Sequence, residues 1–318
     1  MKSSQQDSMI NRSRRALGRT HRAWLSWRIE NIQSRLNFNP EDAILICSEP
    51  RGGSTWLAEV LRKEISTVVL WEPFTGDENN PFKRLGLHWR QNLPEDVVWP
   101  ELSELLLECF KGQTLDTNSA YLERLFPSRF LRANRLILKC VHANGMLPWI
   151  TNQICFRYPP IYLLRHPFAV VLSQKRHGAW KEQEIPFQIP NCPYNEIFKR
   201  HSHFLSTLKS FEEVMTANWC LSNIHTLNHP NPVRWHTLYY EHLREQGLVG
   251  LFRHFELPVP RDVGLLANKP SRTTRGSGPT SLDSWQQEIS VSLQGRMQRV
   301  LDTFGVTQYS KDSPFPLI

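Results

Sequence analysis

The feature that most limits what this chain can fold into is the nine-residue stretch Ser48-Glu49-Pro50-Arg51-Gly52-Gly53-Ser54-Thr55-Trp56, set between two apolar segments of different period. Before it, Ala43-Ile44-Leu45-Ile46-Cys47 is a continuous apolar run that reads as a buried strand. After it, Trp56, Leu57, Val60 and Leu61 fall on one face of a helix. A strand, a glycine turn and a helix start make an anion site. The glycines let the backbone curl so that successive amides point inward, the helix N-terminus adds about half a positive charge, and Arg51, Ser54 and Thr55 supply further donors. Phosphate or sulfate oxygens fit such a cradle. The nucleoside triphosphate loop requires Gly-Lys followed by Ser or Thr, and this chain has no Gly-Lys pair. A glycine pair also serves as a plain strand-to-helix turn, so a functional reading needs partners elsewhere in the chain.

With 318 residues, 40% apolar and 21% charged, the chain has the length and composition of one large α/β domain or two small ones. Its net charge of +8 is unevenly placed: residues 1–40 hold Lys2 and seven arginines against Asp7 and Glu30, a net of +6, which leaves +2 for residues 41–318. The body is therefore nearly balanced and gives no track for nucleic acid. No run approaches the roughly 18 apolar residues of a membrane span, and the polar N-terminus lacks a secretory core, so the expectation is a soluble, cytoplasmic protein. The six cysteines lack metal-type Cys-x-x-Cys spacing and read as reduced thiols, with Cys47 and Cys140 in apolar, strand-like runs.

Residues 1–40 read as a basic extension whose Leu25, Ile29, Ile32 and Leu36 recur at helical spacing. Such a stripe packs on its own domain or, in a basic amphipathic helix, makes peripheral contact with an anionic membrane. Further strands are expected at Thr67-Val68-Val69-Leu70-Trp71, Leu136 to Val141, Ile161-Tyr162-Leu163-Leu164 and Val233 to Tyr240. Residues 75–135 read as a helical insertion, with Leu102, Leu105, Leu106 and Phe110 on one face. Residues 177–203, broken by Pro186, Pro190 and Pro193, read as a lid loop, and a helix is expected over Phe211 to Leu227. Glu72, at the end of the second strand, then shares the ligand-binding sheet edge with the glycine loop, as do Lys139 and His142 from the third. Arg165, after the fourth strand, and Ser173, in the helix that Pro167 opens, converge on an anion.

Five segments carry a family resemblance. Pro50-Arg51-Gly52-Gly53-Ser54-Thr55-Trp56-Leu57 resembles the 5'-phosphosulfate loop of sulfotransferases, which use 3'-phosphoadenosine 5'-phosphosulfate (PAPS). Leu163-Leu164-Arg165-His166-Pro167 through Ser173 resembles their 3'-phosphate signature, in which an arginine and a serine eight residues on hold that phosphate. Trp71-Glu72-Pro73-Phe74 resembles the Glu-Pro segment of the carbohydrate type. Tyr240-Glu241-His242-Leu243 is similar to the family's Tyr-Glu-Asp-Leu, and Arg275-Gly276 to its basic cofactor-closing loop. His166 and His242 depart from the pattern, standing where aspartate is common.

The resemblance implies a three-layer αβα domain over residues 41–318, with a central parallel sheet of about five strands, P-loop-like in its first turn. It implies transfer of a sulfuryl group from PAPS, without metal, to a hydroxyl acceptor, a carbohydrate or small alcohol. Arg51 would stabilise the leaving phosphate; Gly52, Gly53, Ser54 and Thr55 would bind the phosphosulfate. Trp56 would stack on adenine or pack in the core, and Tyr240 would help seat the adenine. Arg165 and Ser173 would hold the 3'-phosphate. For the general base, Glu72 ranks ahead of His142, which stands three residues after Lys139 where the aryl and steroid members place a histidine two after, so that alternation would turn it elsewhere. Lys139 is an electrostatic helper. A nucleoside or sugar kinase, and a silent nucleotide-binding scaffold to which His166 and His242 would point, are the other readings of the same strand, loop and helix.

Overall fold

A computed structural model describes residues 23–64, 66–74, 80–88, 90–180, 185–271 and 281–317. Five strands, β1 (Ile44–Ser48), β2 (Thr67–Trp71), β3 (Arg135–Cys140), β4 (Ile161–Leu164) and β5 (His236–Tyr239), form one sheet in the order β2-β3-β1-β4-β5. Every pairing is parallel, with Trp71 opposite Lys139, Cys47 opposite Cys140, Ser48 opposite Leu163 and Leu164 opposite Tyr239, so the C-terminal ends of all five strands share one edge. This is the three-layer parallel architecture expected from the sequence.

Alternation along each strand divides the core between the two faces. Ile44, Ile46, Val69, Ile137, Ile161 and Leu163 meet helix α2 (Ser54–Leu61) and the helices near the C-terminal end of β5. Leu45, Cys47, Val68, Leu70, Leu138, Tyr162 and Leu164 meet α4 (Leu147–Gln153), α5 (Pro167–His177) and α6 (Phe211–Leu227), whose numbering leaves α1 for residues 23–33 and α3 for Pro100–Phe110. The helix after β1 therefore leaves on one face and the helix after the neighbouring β4 on the other. The crevice opened by that divergence is where ligands bind in open parallel sheets.

The stripe on α1 turns into this core: Leu25, Ile29, Ile32 and Leu36 are all buried. Two boundaries differ by more than one residue from the sequence expectation. Val233 does not extend β5, because Pro232 opens a single 3-10 turn over Pro232–Arg234 before the strand begins at His236. The expected irregular loop at 177–203 ends in helical turns at Glu196–Arg200 and Ser202–Ser206, while residues 181–184 lie outside the described residues. Helix α6 has the expected bounds, fixed at its start by a capping box between Ser210 and Glu213.

The insertion is helical where its leucines predict, in α3, and it is tied to the sheet by polar clasps. The Glu123 carboxylate is fully buried and takes Arg62 Nη2 at 2.7 Å and Arg129 Nη1 at 3.3 Å, which links the insertion to the end of α2. Arg234 reaches Glu95 Oε2 at 2.6 Å and Thr151 Oγ1 at 3.0 Å on the opposite flank. Closer in, Leu93 N donates to Gly145 O at 3.0 Å and Asn92 Nδ2 to Leu221 O at 3.3 Å, laying residues 90–93 against the end of β3 and α6. Removing a carboxylate that compensates two guanidiniums leaves part-buried cations unpaired. Glu123→Ala should therefore cost about 3 kcal/mol in denaturant unfolding, whereas Lys175→Ala, whose side chain is 59% exposed, should cost well under about 1 kcal/mol.

Candidate active site

The glycine turn is required by its surroundings. Gly53 has φ +106°, and a Cβ on it would lie 2.5 Å from Cδ2 of Tyr240; one on Gly52 would lie 2.3 Å from Ser48 Oγ and 2.9 Å from Glu49 O. No other residue fits either position without shifting the backbone. Gly52 N closes the turn onto Glu49 O at 2.8 Å, and Ser54 begins α2.

Loop and fourth strand are joined through main-chain carbonyls. Arg165 Nη1 donates to Arg51 O at 3.0 Å, and Gln174 Nε2 donates to Pro50 O at 3.0 Å. The Arg51 side chain then reaches α5, where its Nε donates to Ser173 Oγ at 3.1 Å. Arg51, Ser173 and Arg165, apart in sequence, thus form one cluster rather than two separated anchors. Burial, and next the Arg165 cation, lower the Arg51 pKa. An anion beside Arg51 would offset the effect of the neighbouring Arg165 cation on it. Tyr240 forms one wall: the Arg165 guanidinium carbon lies 4.7 Å from its ring centroid, and Arg244 Nη1 donates to its hydroxyl at 3.2 Å.

Trp56 lies on the buried side of α2. Its ring is 5% exposed, its Nε1 donates to Leu266 O at 3.1 Å, and it meets Tyr240 edge-on at 5.5 Å. Arg275 and Gly276 lie outside the described residues. His166, the departure from the expected aspartate, has a structural task. Its Nδ1 accepts from Phe168 N at 3.2 Å and caps α5, so Nε2 carries the proton and donates to Ser310 O at 3.0 Å. The ring stacks on Trp285 at 4.3 Å, and burial lowers its pKa to about 3. A histidine capping α5 while holding the C-terminal segment is no mark of a silent site.

At the end of β2, Glu72 adopts φ +45°, an unfavourable conformation for a side-chain-bearing residue. The surroundings fix it there: its backbone N donates to Lys139 O at 2.8 Å, its Oε2 accepts from Val141 N at 2.8 Å, and its Oε1 pairs with Lys139 Nζ. The Lys139 ammonium also lies 4.1 Å from the Trp71 ring centroid. β3 stops at Cys140, so strand alternation does not fix the direction of His142. Burial first, then the charges of Arg90, Lys139 and His88, hold its imidazole well below the usual range, hence neutral.

Sequence reasoning missed Glu49, Arg90 and Gln174. Glu49 is 4% exposed, and burial pushes its carboxyl up to about 7 against the pull of Arg90 and of a hydrogen bond with Ser222. Its only sequence signal was its place at the head of the glycine turn. Gln174 had the signal of following Ser173; Arg90 had none, since the insertion lacks periodicity there.

No protein-family model and no curated protein matches this chain. Among solved structures it is similar to the sulfotransferase domain of a Synechococcus olefin synthase, at 19% identity and a TM-score of 0.40, over 85% of this chain and 96% of that one. The sulfotransferase domain from the curacin biosynthetic pathway gives the same identity and score, over 82% and 96%. A likeness of that size carries no weight beside the sheet and the site themselves.

The Glu49 carboxyl, raised from 4.5 to about 7, binds its proton more tightly in the folded state. Its contribution to stability is full below pH 4.5 and is lost as pH rises through 7, a change of about 3 kcal/mol. Glu49→Gln keeps a hydrogen-bonding amide without the ionisation, so its stability relative to wild type should rise by about that amount between pH 4.5 and 8 in urea unfolding.

Proposed function

We propose that this chain is a PAPS-dependent sulfotransferase acting on a hydroxyl acceptor, a carbohydrate or small alcohol. The observation that carries this reading is the convergence of Arg51, Ser173 and Arg165 on the glycine turn, at the crevice between β1 and β4. The amides of the turn, the start of α2 and two neighbouring guanidiniums suit a ligand with more than one anionic group.

In this reading the donor supplies a sulfuryl group whose bridging S–O bond breaks as the acceptor oxygen bonds to sulfur. Arg51 and the amides of residues 52–55 neutralise the charge that passes to the leaving 5'-phosphate. Arg165 and Ser173 hold the 3'-phosphate, and Tyr240 borders the nucleoside. The acceptor proton goes to Glu72 or His142. Glu72 stands first: its strained backbone and three ties fix the carboxylate at the strand edge, beside Lys139. His142 is the competing acceptor of the proton, since its neutral ring retains that capacity.

Calorimetric titration with adenosine 3',5'-bisphosphate tests the assignment. Each charge-assisted contact is worth about 1.5–3 kcal/mol, so Arg51→Ala and Arg165→Ala should each weaken binding by roughly 10- to 100-fold. Unchanged affinity in both variants would remove the cluster from donor binding. Glu72→Gln and His142→Ala separate the two bases: loss of turnover in one alone, at unchanged bisphosphate affinity, identifies it.

A further inference from the structure

Helix α1 has one face fully used. Leu25, Ile29 and Ile32 are 8%, 1% and 6% exposed, so the helix is held on the domain and cannot turn that stripe toward anything else. The opposite face carries two large indoles, Trp24 at 49% exposed and Trp27 at 61%. They lie one helical turn apart, and the Arg28 guanidinium lies 4.7 Å from the Trp24 ring centroid. Isolated exposed apolar residues are ordinary, but two adjacent indoles on a rigid helix with a basic neighbour are not scattered surface.

Charge decides what could cover them. Residues 1–22, which lead directly into the helix, contain Lys2, Arg12, Arg14, Arg15, Arg19 and Arg22 against Asp7, whereas residues 41–318 are nearly neutral. A partner of opposite charge to this sequence is anionic. Indoles belong at the boundary between apolar and hydrated layers, and basic side chains beside them pair with lipid phosphates. A single-stranded nucleic acid would need open ring faces and a longer basic track. One face of Trp24 is already covered by Arg28, and the rest of the body offers no such track.

We propose that the outer face of α1 is a docking surface for an anionic lipid bilayer, holding the enzyme peripherally. Among the described residues no helix is long and apolar enough to cross a membrane. Such attachment requires nothing of the anion crevice.

Co-sedimentation of the full chain with phosphatidylcholine vesicles, with and without phosphatidylserine, tests this. Binding should require phosphatidylserine and weaken as salt rises. The double variant Trp24→Ser/Trp27→Ser should weaken it by roughly ten-fold or more, as should replacing Arg12, Arg14, Arg15 and Arg19 by alanine. The tryptophan variant should keep the wild-type thermal midpoint and bisphosphate affinity, since both indoles are exposed on α1. Equal binding to both vesicle types, unchanged binding in the tryptophan variant, or preferential binding to single-stranded DNA would overturn the proposal.

Discussion

The arrangement depends on a turn that admits no side chain at Gly52 or Gly53 and whose outward carbonyls are held from across the crevice. Arg165 takes Arg51 O and Gln174 takes Pro50 O, so the first residue after β4 and the middle of α5 both grip the loop after β1. These ties draw together two segments that the sheet topology sends to opposite faces. They also commit part of Arg165 to structure, so its replacement disturbs the loop as well as any ligand.

Around that turn the polar residues fall into two groups. Arg51, Arg165, Ser173 and Tyr240 make a cationic pocket bordered by an aromatic ring. In the second, Glu72 pairs with Lys139, and the Arg90 charge acts on both His142 and Glu49. The first suits recognition of a polyanion, the second the handling of a proton. The insertion contributes to the second group through Arg90, because residues 90–93 are pinned against β3 and α6 by Asn92 and Leu93.

Much of this was legible in the sequence, for identifiable reasons. β2 and β4 have the bounds their apolar runs suggest, and α6 was marked at its start by Ser210 and Glu213. The spacing of Arg165 and Ser173 pointed to one side of a helix, where both meet Arg51. What stayed hidden depends on long-range packing. Arg90 sits in a segment without periodicity, and its relation to Glu49 and His142 exists only once the insertion is folded across the sheet edge. Trp56 was ambiguous because a helix residue beside an anion loop can face either way; burial and its bond to Leu266 settle its side. His166 looked like a defect in a motif, and only its contacts with Phe168, Ser310 and Trp285 reveal it as a cap.

In the proposed function the crevice takes a nucleotide bearing a 3'-phosphate rather than a nucleoside triphosphate with magnesium. The most direct measurement is a calorimetric competition on the wild-type chain between adenosine 3',5'-bisphosphate and magnesium ATP. The account predicts that the bisphosphate binds and that magnesium ATP does not displace it at equal concentration. Binding of magnesium ATP with no response to the bisphosphate would contradict it.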